Sequence, residues 1–268
     1  MAQILSFTTP EPSATPESLV IPIRAITIDF WNTLYDSSGG DGRNEDRFAT
    51  ILRNALRLGA SIDAPSVKAA QKDAWEHFNV VWRAEQRTPS TRSMVEYFWQ
   101  RLNIAADEQA TDEVTRAFEE GILQHPPALL PGAKEALQEL AAKHYLALIS
   151  DTAFSPGRVL KRVMEQDGIL QYFSAFSFSD ETGVSKPHPE AYRIALAQTT
   201  AKPHECVHIG DIERTDIAGA KNYGMRAILF AGDPHGRMND EHKDHPTAAD
   251  VRAESWQHLV EMLRTGAV

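Results

Sequence analysis

Short apolar runs alternate along this chain with longer segments in which apolar and charged positions recur at helical spacing. The run IPIRAITID at 21–29 is apolar and β-branched and ends on a carboxylate, which predicts a strand. Residues 36–44 (DSSGGDGRN) are polar and glycine-rich, the pattern of a linker. From 45 to 121 the texture changes to charged, amphipathic segments punctuated by Pro65, Pro89 and 103–107, which predicts about four helices. His125-Pro126-Pro127 stiffens a second linker, so two linkers bracket a helical module. Beyond Leu130 short strands return: YLALIS at 145–150, 175–179, CVHIGD at 206–211 and 226–230, separated by helices over 132–140, 158–166, 189–198 and 216–223 and closed by one over 254–264. Strands alternating with helices predict an α/β fold with a doubly wound parallel sheet. The expected organisation is a flexible tail over 1–20, an α/β core built from 21–36 and 128–268, and an all-α domain inserted at 37–127.

That fold class says where to look for chemistry. In open parallel sheets the ligand site lies beyond the carboxyl ends of the strands, at the topological switch point. Four strand ends or adjoining loops carry chemically capable groups: Asp29, Ser150, Lys186 and Asp211. A single Asp or Ser ahead of a helix is more often a cap than a catalyst, but four at one end of a sheet form a set. Two carboxylates suit Mg²⁺, which takes one or two of them together with water and substrate phosphate. A carboxylate can also serve as nucleophile, and a hydroxyl with an ammonium supplies donors to phosphoryl oxygens. This division of labour is what phosphoryl transfer requires.

Composition narrows the partners. With 268 residues, 42% hydrophobic and 24% charged, the chain is long enough for a core plus an insert and is neither collagen-like nor wholly disordered. A formal net charge of −10 gives nucleic acid no global footprint to follow, although a local pocket can still be positive. The single cysteine, Cys206, excludes an internal disulfide and is expected to be a buried, inert thiol, so a reducing, cytoplasmic setting is the default. The apolar runs are far shorter than the about 20 residues needed to span a bilayer, and the first residues lack the pattern of a signal peptide, so no membrane partner is expected.

Taken in order, these residues resemble the motifs of the haloacid dehalogenase (HAD) superfamily, most of whose members are Mg²⁺-dependent phosphatases with an aspartate nucleophile. ITIDFWNTLYD is similar to the first motif, with Asp29 as nucleophile and Thr33 and Leu34 in their expected places. Ser150 ends LALIS, Lys186 lies in SKPHPEAY, and HIGDIERTDIAGAKNYGM presents Asp211 and Asp216 as an acidic pair. The resemblance extends over roughly 23–263 and includes ALLPGAKEALQEL. It implies a Rossmann-like three-layer core and a helical cap that closes over the site. It also implies that Asp29 is a metal ligand as well as the nucleophile, that Trp31 offers the metal its backbone carbonyl, and that Asp211 is the second protein ligand. Asp216 would support the metal or orient Lys186. Ser150 and Lys186 would hold the phosphoryl group, Thr33 and Asp151 would contact substrate, and the partner would be a small phosphorylated molecule.

One position departs from the phosphatase pattern. Where those enzymes carry a second aspartate as general acid and base, this chain has Trp31. Indole neither protonates a leaving alkoxide nor activates water, and losing a positioned proton donor costs typically ~10²–10⁴-fold in rate. The dehalogenase branch resembles this chain in having an aromatic residue there, but that branch needs no metal, whereas Asp211, Glu213 and Asp216 are all present here. Asp151 also stands where dehalogenases have asparagine. The reading is a Mg²⁺-dependent small-molecule phosphatase with a damaged or rerouted proton relay. Its alternatives are carbon–halogen hydrolysis through an aspartyl ester and a low-activity regulator that binds phosphate or Mg²⁺. The relay leaves three routes: a substrate such as an acyl phosphate whose leaving group needs no proton, water activation by Asp151 or a cap residue, or weak turnover.

Other features have plainer expectations. Trp75, Phe78 and Trp82 form a stripe expected to pack a helix. Arg43, Arg47, Arg83 and Arg92 could reach a substrate carboxylate or phosphate through bidentate contacts, but each taken alone is expected to be a solvated surface residue, and Lys68 and Lys72 are expected to be helix-surface lysines rather than Schiff-base formers. His235, His242 and His245 lie in a polar stretch without metal-ligand spacing, expected to be a mobile loop.

Overall fold

A computed structural model describes residues 22–233 and 246–268. The tail over 1–20 and the histidines 235, 242 and 245 lie outside the described residues. Six parallel strands form one sheet: β1 (Ala25–Ile28), β2 (Tyr145–Ser150), β3 (Ala175–Phe178), β4 (Cys206–Gly210), β5 (Arg226–Phe230) and β6 (Val251–Ala253). Their order is β3-β2-β1-β4-β5-β6, so the chain winds outward from β1 on one side and then returns to start the other side at β4. The switch point lies between β1 and β4.

Period-two alternation sorts the strand side chains into two layers. Ile26, Ile28, Leu146, Leu148, Val207, Ile209, Ile228 and Phe230 face one side, where they pack on α5 (Ala133–Ala141), α6 (Gly157–Gln166) and α10 (Trp256–Thr265). The opposite face is lined by smaller residues, Ala25, Ala147, Ala175 and Ala227 with Cys206, against α8 (Pro189–Leu196) and α9 (Ala218–Asn222). On that second face Thr27 pairs in register with His208, a buried polar couple within an otherwise apolar layer. The Cys206 thiol is buried there and burial pushes it up to about 11, an unreactive state at neutral pH.

Between β1 and β2 the chain builds four helices: α1 (Gly40–Arg57), α2 (Ala64–Glu85), α3 (Thr91–Arg101) and α4 (Glu108–Gln124). Asp63, Ser90 and Asp107 cap the last three by accepting from backbone N–H groups of their first turns. These helices bury a core of their own around Ile51, Val67, Phe78, Met94, Phe98 and Val114. The two crossings are clipped together where Asp36 N donates to Ala128 O (3.0 Å) and Ala128 N to the Asp36 carboxylate (2.8 Å).

Three local expectations need correction. The glycine-rich stretch at 36–44 is helical from Gly40 onward. Gly39 adopts φ 74° at the helix start, and a Cβ there would strike the His125 carbonyl, so this glycine marks a close crossing rather than slack chain. The turn leading into the helix expected from 216 is a π-turn at Glu213–Ile217, with α-helix from Ala218. The three-residue β6 gives no periodic signal and was not expected. Among the described residues no helix is long and apolar enough to cross a membrane.

Candidate active site

Asp29 immediately follows β1 and continues its ladder, donating its N–H to Ile209 O (2.9 Å). Asp211 immediately follows β4, so the switch point aligns the two carboxylates at one height. Asp216 comes from the π-turn behind them, and one carboxylate oxygen from each of the three lies within 4.8 Å of the others. Gly210 permits this approach: a Cβ there would overlap the Asp216 carboxyl group.

Lys186, from the loop between the short α7 (Ser179–Thr182) and α8, sits at the centre and is buried. Its Nζ donates to Asp29 Oδ1 and to Asp216 Oδ1 (2.6 Å for the latter). Asp216 Oδ1 also accepts from His208 Nε2 (2.9 Å), while its Oδ2 accepts from Ile212 N (3.0 Å) and the Thr215 hydroxyl (3.2 Å). Burial holds His208 below its usual range and therefore neutral, so with Nε2 donating to a carboxylate, Nδ1 accepts from the Thr27 hydroxyl (2.8 Å). A chain of hydrogen bonds thus runs from the sheet interior through Asp216 to Lys186 and Asp29.

The charges do not balance. Burial works against Asp216, but Lys186 and His208 hold it well below the ordinary carboxylate range. Burial likewise pulls Lys186 down, but Asp216, Asp29 and Asp151 hold it well above the usual lysine value. That pair spends the single ammonium. Asp29 is pushed up to about 7 by burial, against the pull of Lys186. Asp211 is raised well above its usual value by burial and then by Asp29 and Asp216. Asp29 Oδ2 and Asp211 Oδ1 accept no hydrogen bond from the described residues; Asn32 Nδ2 reaches only Asp211 Oδ2, at 3.3 Å. Two carboxylates in excess of their cation, each with a free hard oxygen, fit a small divalent cation such as Mg²⁺.

The remaining expected residues fall into two groups. Ser150 ends β2 with its hydroxyl buried and unpartnered among the described residues. Asp151 lines the cavity above the aspartates, yet both of its oxygens are engaged, Oδ1 by Lys186 N (2.9 Å) and Oδ2 by Trp82 Nε1 (2.8 Å). Thr33 is fully buried and does not line that cavity. Glu213 turns away, accepting from Thr247 Oγ1 and Ala248 N, so it does not join the acidic cluster.

The cavity over the aspartates encloses about 330 Å³ and is roofed by α2 through Trp75, Asn79, Trp82 and Arg83. The aromatic stripe is therefore only partly packing: Phe78 is buried, whereas Trp75 is 47% exposed and Trp82 bonds the core across the cavity mouth. Arg214 stacks on the Trp82 ring at 4.5 Å. Arg43 and Arg47, expected at the surface, are instead buried in the helical module, whereas Arg92 is exposed and paired with Glu96, Glu108 and Asp112. Lys68 is exposed, and Lys72 is exposed and ion-paired with Glu76, so neither is the desolvated amine that Schiff-base chemistry requires. Asn32 and His208 carry no signal of their role in the sequence, and Trp82 reads there only as part of the packing stripe with Trp75 and Phe78. Only the spacing of Trp75, Asn79 and Trp82 on one helical face hinted at the roof.

Comparison with known proteins gives a consistent pattern. The profile of the haloacid dehalogenase-like hydrolases matches residues 23–224. A glyceraldehyde 3-phosphate phosphatase from Pyrococcus furiosus is 30% identical over 135 residues, which is 50% of this chain and 54% of that protein. The chain thus spans about half the length of such curated relatives. Among solved structures, a 2-haloacid dehalogenase from Pseudomonas syringae superposes with a TM-score of 0.68 at 20% identity, covering 91% of this chain and 99% of that one. The HAD-hydrolase YfnB from Bacillus subtilis, bound to magnesium, superposes with a TM-score of 0.60 at 15% identity, covering 90% and 99%. At these identities the two structures speak for the fold.

Proposed function

The chain belongs to the haloacid dehalogenase-like hydrolase family, and on that premise we propose that it is a Mg²⁺-dependent phosphatase of small molecules that works through a phosphoryl group carried on Asp29. The observation that carries this reading is the pair of unengaged oxygens, Asp29 Oδ2 and Asp211 Oδ1, in a buried cluster with one ammonium for three carboxylates. Asp29 and Asp211, with the backbone carbonyl of Trp31, would hold the ion. Asp216, all of whose hydrogen bonds go to protein donors, positions Lys186. The bound cation supplies charge neutralisation at the phosphoryl oxygens.

The chain's own residues do the rest. Asp29 attacks phosphorus as the bond to the leaving group breaks, and water then cleaves the acyl phosphate to restore the carboxylate. Lys186 Nζ and the unpartnered Ser150 hydroxyl donate to the phosphoryl oxygens. Among the described residues no side chain stands ready to protonate the leaving group: Trp31 has no acid to give, and Asp151 is held by Trp82 and Lys186. The substrates this site handles best are therefore those with weakly basic leaving groups, acyl phosphates and anhydrides. The helices over 37–127 act as a cap that excludes water from the 330 Å³ cavity.

A second reading, carbon–halogen hydrolysis through an aspartyl ester on Asp29, is favoured by the aromatic residue at Trp31. It leaves Asp211, half-buried beside Asp29, without a purpose. The test is phosphate release from a panel of phosphoesters and acyl phosphates, with Mg²⁺ or with EDTA, using Asp29→Asn as the blank. Release that needs both Mg²⁺ and Asp29 is expected. Halide release from haloacids that persists in EDTA would replace this reading with the second.

A further inference from the structure

A larger cavity, about 550 Å³, adjoins the first and shares its Trp31, Trp75 and Ala153 walls. It lies between the cap helices and the loop following β2. Among the described residues three cations line it (Arg43, Arg47 and Lys72) and no carboxylate does, in a chain whose formal net charge is −10.

Two of the three cations are accounted for. Arg43 donates to the carbonyls of Ser38 (2.9 Å) and His125 (2.6 Å), tying the two crossings together. Lys72 is exposed and paired with Glu76. Arg47, one turn further along α1, is 9% exposed and has no carboxylate partner among the described residues. Only two of its donors are used, by Phe118 O (3.0 Å) and the Asn44 side chain (3.3 Å), and its Nε is buried without a partner. Phe118 and Phe154 hold the guanidinium through cation–π contacts at 4.8 and 5.4 Å, which orient the charge without cancelling it. Burial and the neighbouring Arg43 accordingly push Arg47 down to about 10. An unpaired buried ion is costly, and its retention on a cavity wall calls for a ligand that pairs with it. A second donor, Trp31 Nε1, is also buried and unpartnered, on the wall the two cavities share.

We propose that the larger cavity seats a second anionic group of the substrate, a carboxylate or a second phosphate, held by Arg47, while the reacting phosphoryl group occupies the aspartate cavity. This rests on the phosphatase reading and narrows it: the substrates are compact phosphorylated acids with their two charged ends in separate cavities. Arg47 is a specificity residue, and Trp31 supplies a wall and a donor between the two ends.

The test measures binding rather than turnover. Alkylphosphonates of graded chain length are titrated by calorimetry with Mg²⁺ present, each with a bare end, a carboxylate end or a phosphonate end. The wild-type protein is expected to bind at least one of the two acid-ended series roughly 10–100-fold more tightly than the bare-ended one, and the better of the two identifies the second acid. In Arg47→Gln, which keeps a donor for Phe118 O, that ratio is expected to fall to near one, and Arg47→Lys is expected to restore part of it. A wild-type ratio near one overturns the proposal, as does a ratio that survives in Arg47→Gln. If Arg47→Gln does not fold, a full wild-type ratio in Arg47→Lys, which lacks the bidentate fork, overturns it. Failure of the phosphatase reading is separable: no phosphate release alongside a preserved ratio removes that reading and leaves the anion seat supported.

Discussion

In the proposed mechanism Trp31 is the residue that limits which leaving groups the site can turn over. Replacing it by aspartate restores a carboxyl group at the junction of the two cavities, where a proton donor serves the leaving group. Trp31→Asp is expected to raise kcat on simple alkyl phosphates about 10²-fold and to leave acyl phosphates little changed. Equal losses on both classes would show that the indole is needed for binding and that no relay is missing. At this scale the sequence is informative wherever a reactive group ends an apolar strand or starts the loop beside one: position marks Asp29, Ser150, Lys186 and Asp211, and the motif marks Asp216. It was silent where a role depends on a cross-strand neighbour. His208 reads as an ordinary strand residue until the register sets it beside Thr27 and beneath Asp216. The sequence leaves Arg47 between a solvated residue and an anion contact, because an arginine on an amphipathic helix looks solvated, and only packing against Phe118 and Phe154 reveals it as buried.

Among the elements, α2 supplies one of several bonds between the helical module and the α/β core. Trp82 donates to an Asp151 carboxylate that in turn orients Lys186 N, so one side chain bonds the roof to the floor. Trp82→Phe keeps the ring but leaves an oxygen of Asp151 unmet, a cost of about 1–3 kcal/mol. The expected result is a raised KM with faster amide exchange over 64–85 and no change in exchange at β1 and β4. Unchanged KM and exchange would remove this contact from the closure account. Strand and helix order was legible because the apolar runs are short and their period switches cleanly, as at YLALIS and CVHIGD. The start of α1 was hidden, since Gly39, Gly40 and Gly42 carry a flexible composition while Arg43 fixes that segment to the His125 carbonyl. The roof formed by α2 was hidden too, because a stripe of Trp75, Phe78 and Trp82 describes a buried face equally well.

Across the whole molecule, the proposed Mg²⁺ site would link metal binding to stability through the acidic cluster. The unfolded chain releases the Asp29 proton near 3.8, whereas the metal-free native state keeps it to about 7. The native state therefore holds more protons across that window, and stability from this group falls as pH rises through it. Mg²⁺ binds the ionised form, so its stabilisation grows over the same window. The melting temperature is expected to rise with Mg²⁺ by several degrees near pH 8, at roughly 2–4 °C per kcal/mol, and by little near pH 5. An equal shift at both values would contradict metal binding at Asp29. The central claim is the phosphoryl group on Asp29, and intact-protein mass spectrometry after rapid acid quench tests it most directly. With an acyl phosphate substrate and Mg²⁺, the protein is expected to gain the mass of one phosphoryl group, located by peptide mapping to Asp29 and lost in Asp29→Asn. No mass gain under conditions that release phosphate, or a phosphoryl group mapped to another residue, would contradict it.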